Sequence, residues 1–146
     1  MKMKRICAKK QDLKEVFWLA SQLLEDLKED EFIKKVKKQE KKMQYQLFGF
    51  YKKGELVGLC GVMPFYVLYH DRCLYLCDFV IAEEYRGKGY GWKSLERIEK
   101  YARKLGYNEI ELSSSFSREL AHIFYENKMN YNKSGYVFNK KIDRNR

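Results

Sequence analysis

Proline occurs once in this chain, at Pro64, and histidine twice, at His70 and His122. With so little proline, 45% hydrophobic residues and 16% aromatic residues, the composition is that of a folded domain and excludes a disordered chain. Neither histidine has a serine or cysteine partner that marks a catalytic pair in the sequence. Apolar runs are short. The longest, Leu74–Ile81, is interrupted by Asp78 and cannot span a bilayer. The basic start, Met1–Ile6, is followed by no apolar signal-peptide segment, so a cytoplasmic protein is expected, with no membrane partner. No CxxC spacing links Cys7, Cys60, Cys73 and Cys77, and no second pair completes a zinc site around Cys73 and Cys77. Free thiols and no metal are the expectation. Low-complexity stretches, repeats and linkers are also lacking, which leaves one domain over residues 1–146.

Positive charge is abundant, at a formal +10. Such a balance attracts polyanions, so a nucleic-acid-binding domain has to be weighed. The lysines are scattered, however, and the run Lys34–Lys42 fits the solvated face of a helix better than a recognition helix. A phosphate-rich small molecule is an equally sufficient anionic partner.

Hydrophobic periodicity predicts the elements. Residues 3–9 read as a strand. Asp12, with Glu15 three residues on, forms a capping box for a helix carrying Leu13, Val16, Phe17, Ala20, Leu23, Leu24 and Leu27. A polar helix follows over Asp30–Met43. Gln46–Tyr51 and Leu56–Leu68 read as a hairpin about Lys52–Glu55, with Pro64 at a bulge or an exposed edge. A third strand at Cys73–Ile81 leads through a glycine-rich turn to a helix over Gly89–Leu105, and then to a strand at Asn108–Ser114. Ser117 caps a further helix bearing Leu120, Ala121, Phe124 and Tyr125, and strands close the chain near Tyr131 and at Gly135–Ile142. The fold class is therefore α/β, a mixed sheet in the order β-α-α-β-β-β-α-β-α-β-β. The unit over 74–112 is expected to be a parallel crossover.

The turn Arg86–Gly87–Lys88–Gly89–Tyr90–Gly91 lies between an apolar strand and an amphipathic helix. A helix start leaves about four backbone N–H groups unpaired and carries the positive end of the helix dipole. Glycines let a pyrophosphate approach those groups, and Arg86 and Lys88 add charge. The spacing fits neither a dinucleotide fingerprint, since Trp92 stands where the third glycine belongs, nor a Walker loop, since Trp92 precedes Lys93–Ser94.

Three features together resemble the GCN5-related N-acetyltransferase superfamily: Arg86-x-x-Gly89-x-Gly91 after a strand ending Phe79–Val80–Ile81, the segment Ala121–Glu126 with its Tyr–Glu pair, and the tail Gly135–Lys141. The resemblance is specific over Leu74–Lys141 and only architectural before that. It implies an acyl-CoA N-acyltransferase fold and transfer of the acetyl group of acetyl-CoA to a primary amine by direct attack. Backbone groups of Phe79, Val80 and Ile81 would take the pantetheine arm and the acetyl carbonyl. Those of Gly87, Lys88, Gly89, Tyr90, Gly91 and Trp92 would hold the pyrophosphate. Tyr125 would protonate the leaving thiolate, or else it is a packing aromatic. Arg118 stands where the family often has Asn, and either reaches a CoA phosphate or faces solvent. Homodimers are common in the superfamily.

An amine must lose a proton before it attacks. Asp78, the acid within the apolar strand, is the candidate base or cation anchor, with a satisfied polar residue as the plainer alternative. The acceptor, a small molecule or a peptide amine, carries no signature in the sequence. A catalytically silent CoA-binding sensor is the other reading of the same motif.

Overall fold

The computed structural model describes residues 1–143, and the chain divides into two compact units, Met1–Leu112 and Ser113 onward. The first unit runs β1 (Lys2–Ile6), α1 (Lys10–Leu23), α2 (Glu29–Met43), β2 (Gln46–Lys52), β3 (Glu55–Phe65), β4 (Cys73–Ile81), a 3₁₀ turn (Glu83–Tyr85), α3 (Tyr90–Lys104) and β5 (Glu109–Glu111). The strands lie side by side in chain order. The first four are antiparallel, and β5 joins β4 in parallel through the α3 crossover. The result is a five-stranded mixed sheet within an α/β fold, as the pattern predicts.

Local chemistry sets most boundaries. Lys53 and Gly54 both take positive φ, 51° and 82°, which makes the two-residue turn whose twist matches a β-hairpin. The register of β3 against β4 shifts between Gly61 and Val62, and this shift, rather than Pro64, is the bulge. Pro64 pairs with Leu74 beyond Val62, where the pairing with β2 has already ended, so no strand of the described residues lies on that side of β3 there.

Two cores sandwich the sheet. On one face Leu13, Val16, Leu19 and Ala20 of α1 and Phe32, Ile33 and Val36 of α2 pack with Tyr45, Leu47, Leu59, Val80 and Ala82. On the other, α3 buries Leu95, Ile98 and Ala102, and Tyr101 sets its ring edge-on to Phe48 at 5.0 Å. Burying each leucine, isoleucine or valine among them contributes about 1.5–3 kcal/mol.

The expected capping box at Asp12 does not form. Lys9 N–H turns back to the Cys7 carbonyl, α1 starts at Lys10 with no side-chain cap, and Asp12 lies in its first turn, where its charge meets the helix dipole. Because α1 ends at Leu23, Leu24 leaves the apolar stripe and is exposed. Strand β5 is shorter than its apolar pattern suggests, since pairing with β4 reaches only from Cys73 to Tyr75.

The second unit holds α4 (Glu119–Ile123), which passes into a π-helical turn over Phe124–Lys128. Ser117 is not its cap: its hydroxyl meets that of Ser115 at 3.1 Å, and Arg118 precedes the helix without a side-chain cap bond. The two closing strands expected near Tyr131 and at Gly135–Ile142 are absent among the described residues. Tyr136, Val137 and Phe138 are all exposed, Phe138 to 91%. A strand is defined by its ladder partner, and strand propensity alone does not create one.

Candidate active site

The site begins where β4 outruns its neighbour. Gly61 pairs with Asp78 and Val62 with Leu76, so Cys77 is the extra, unmatched residue of the bulge. Strand β5 has already stopped opposite Tyr75. From Cys77 to Ile81, therefore, β4 has β3 on one side and no strand of the described residues on the other. Ala82 N–H donates to the Val57 carbonyl at 2.9 Å. Antiparallel ladders alternate, so the backbone groups of Val80 turn toward Leu59, while those of Phe79 and Ile81 turn to the open side. The Val80 side chain is buried in the α1/α2 core.

The chain after β4 folds back on this edge. Glu83 N–H donates to Gln22 Oε1 of α1 at 2.8 Å, and Arg86 Nε donates to the Ile81 carbonyl at 2.8 Å. Lys88 Nζ reaches the Glu84 carbonyl at 3.2 Å. Gly87 and Gly89 take φ of 74° and 86°, a region that side-chain-bearing residues disfavour. A Cβ at either position would meet no protein atom within 4 Å, so bulk is excluded by conformation and not by neighbours. Gly89 precedes α3 without a side-chain cap, leaving the amides of Tyr90, Gly91 and Trp92 at a bare helix start. Around it, the Tyr90 ring lies under Lys52 at 5.2 Å and edge-on to Tyr85 at 5.5 Å, and Tyr85 donates its phenol proton to Glu55 at 2.6 Å.

Asp78 is half-buried, and Tyr45 donates its phenol proton to Asp78 Oδ2 at 2.6 Å. Burial pushes the Asp78 carboxyl above its usual range, and the Tyr45 bond pulls it partly back. Burial, followed by the Asp78 charge, holds the Tyr45 phenol well above its usual value. Burial first, and then Asp78, raises the nearby Cys77 thiol to about 12 and pushes Cys60 up as well. Each of these neighbours is neutral at ordinary pH. Gly61, opposite Asp78, makes room for the pair: a Cβ there would collide with the Tyr45 phenol. Tyr45 carries no signal in the sequence, because the contact spans 33 residues.

Tyr125 and Arg118 belong to the second unit. Tyr125 lies in the π-helical turn, with its ring 5.4 Å from Phe124 and 5.8 Å from Tyr131. Burial raises its phenol, and the Arg118 charge lowers it. Its carbonyl accepts the Tyr131 N–H at 2.8 Å. His122 is half-buried and bonds the Ser115 carbonyl at 2.8 Å.

Comparison with known proteins decides the family. The sequence profile of the acetyltransferase (GNAT) family matches residues 11–131. The chain belongs to the GNAT acetyltransferase family. The uncharacterized N-acetyltransferase YhdJ of Bacillus subtilis (strain 168) is 30% identical over 140 residues, covering 96% of this chain and 98% of that protein. In fold, the chain is similar to a GNAT family acetyltransferase of Staphylococcus aureus subsp. aureus USA300_TCH1516, with TM-score 0.76, 22% identity and coverage of 97% and 98%. It is similar too to the aminoglycoside N-acetyltransferase AAC(6')-Iy in complex with CoA, with TM-score 0.77, 14% identity and coverage of 96% and 93%. Among the described residues no helix is long and apolar enough to cross a membrane.

Within this acetyltransferase the first unit brings together Asp78, Phe79, Val80 and Ile81 with Arg86, Gly87, Lys88, Gly89, Tyr90, Gly91 and Trp92 around the end of β4 and the start of α3.

Proposed function

We propose that this GNAT acetyltransferase moves the acetyl group of acetyl-CoA to a primary amine by direct attack. The observation that carries the reading is the edge of β4 at Phe79 and Ile81, which no strand of the described residues joins, running into two left-handed glycines and an uncapped helix start. An extended arm containing amides can pair with that edge as a strand would. A pyrophosphate suits the helix start, which offers N–H donors and the positive end of a dipole. The open space before Gly87 and Gly89 leaves room for it.

Bound acetyl-CoA would supply an activated acyl carbon whose oxygen gains negative charge as the amine attacks. The outward N–H groups of Phe79 and Ile81 are the donors this chain offers to that arm and oxygen. Amides from Gly87 to Trp92, together with Arg86, Lys88 and Arg118, hold the phosphates. Asp78, buried and thereby made more basic than an ordinary carboxylate, accepts the proton of the incoming ammonium or anchors its charge. Tyr125 gives its phenol proton to the departing sulfur; burial keeps that phenol protonated until charge develops.

An amine acceptor is supported by the fold neighbour AAC(6')-Iy, captured with the bisubstrate analogue CoA-S-monomethyl-acetylneamine. The test is a panel of aminoglycosides, polyamines, amino acids and peptide N-termini assayed for free CoA release. Acetyl-CoA-dependent turnover of one class supports the proposal. Tight acetyl-CoA binding with no release on any amine favours the silent sensor.

A further inference from the structure

At the opposite end of β4 from the glycine turn, four side chains converge that the acetyl transfer does not use. The His70 ring lies between two carboxylates, with Nδ1 2.7 Å from Glu109 Oε1 and Nε2 2.7 Å from Glu111 Oε1. Cys73, the first residue of β4 and 2% exposed, stands in register with Glu109 of β5. One donor atom each from His70, Cys73 and Glu109 lies within 4.8 Å of the others. We propose that His70 Nδ1, Cys73 Sγ and a Glu109 oxygen form a site for a divalent transition metal, zinc above all, which straps the segment before β4 to β5.

The donor set suits that ion. Imidazole, thiolate and carboxylate are the ligand types zinc takes, with three protein ligands and water in the fourth tetrahedral position. Bonds of about 2.0–2.3 Å place tetrahedral ligand atoms roughly 3.4 Å apart. The Nδ1–Glu109 contact must therefore open slightly, and the Glu109 side chain, 49% exposed, is free to step back. Glu111 completes the arrangement. A metal-bound imidazole commonly passes its other ring N–H to a carboxylate, which fixes the ring and strengthens the ligand, and Nε2 already makes that bond. The rings of Phe65 and Tyr69, 5.8 and 4.7 Å from the imidazole, wall the site, and the exposed Glu109 side leaves a way in. The charges balance: the metal enters with two positive charges, and one proton leaves His70 Nδ1 and one leaves the Cys73 thiol.

The experiment is titration of the chelator-treated protein with Co²⁺, followed by optical absorption, with Zn²⁺ binding measured by calorimetry. The expected result is one ion per chain, a thiolate-to-cobalt band in the near ultraviolet and a raised melting temperature. Cys73→Ser should lose the band, and Glu111→Gln should weaken binding by about 10–100-fold. Cys7→Ser, which alters an exposed thiol outside the cluster, should change neither. Should Cys73→Ser fold poorly, Glu109→Gln at the exposed rim carries the same test through loss of the one-to-one stoichiometry. No saturable binding, or an undiminished band in Cys73→Ser, overturns the site and leaves His70 as an ion-paired strap alone.

Discussion

Tyr45 and Asp78, 33 residues apart, share a 2.6 Å hydrogen bond across the bare backbone of Gly61. The bond ties the start of β2 to the bulged part of β4, so the candidate base is held by a strand two places away in the sheet. Its energetics and its chemistry can be separated.

Asp78→Asn keeps the shape and removes the charge. The folded protein raises the Asp78 carboxyl, so the wild type is most favoured below the ordinary carboxylate range and loses that contribution as pH rises through the raised value. The variant should therefore melt higher than wild type at neutral pH, and the gap should close toward pH 4. Acetyl transfer should fall while acetyl-CoA binding persists. Unchanged kinetics would return Asp78 to a structural role.

Gly61→Ala forces a methyl group into the Tyr45 phenol and should cost about 1–3 kcal/mol, as overpacking does. Tyr45→Phe alone leaves the buried carboxylate without its donor, at about 1–3 kcal/mol. Since the hydroxyl is the first atom the methyl meets, the two substitutions should be less than additive in a denaturation double-mutant cycle. Strict additivity would mean that the phenol moves aside freely.

Gly89→Ala and Gly87→Ala should each lose about 1 kcal/mol from the left-handed backbone alone. Gly54→Ala in the β2–β3 turn should lose a similar amount, since it too has positive φ and open space. The difference lies in ligand response. Acetyl-CoA should raise the melting temperature of wild type and of Gly54→Ala, and raise it far less for the two loop variants. Equal shifts in all four would remove the pyrophosphate from this turn.

Tyr125→Phe keeps the ring contacts with Phe124 and Tyr131 and deletes the proton. Turnover on a confirmed acceptor should drop by about 10²–10⁴-fold. The loss should fall on kcat and be smaller with a thioester whose thiol leaves more readily. Full activity would make Tyr125 a packing residue.

What could be read in the sequence follows what is local. Cys73–Ile81 reads as a strand to the residue, because a β-rich run is bounded by turns on both sides. The sequence pattern over Gly89–Leu105 puts Leu95, Ile98, Ala102 and Leu105 on one stripe; the first three are buried, their period set by one helix facing one sheet, while Leu105 falls past the helix end and is exposed. Tyr45, by contrast, meets Asp78 only through strand order and a bulge, and Cys73 meets Glu109 only through a parallel register. Neither relation leaves a spacing in the chain. The tail over 135–142 shows the converse: a strand-like pattern that forms no strand among the described residues.

The brevity of β5 has a second consequence. Three residues cannot cover a strand of nine, and the uncovered stretch includes Phe79–Val80–Ile81. An apolar edge with free amides will accept any extended chain, including one from a neighbouring molecule. A thioester arm laid along it, as proposed above, would shield it for as long as it stays bound. On that reading the thioester would protect the protein as well as react on it, and the ligand-free protein should aggregate sooner on warming than the protein with acetyl-CoA bound.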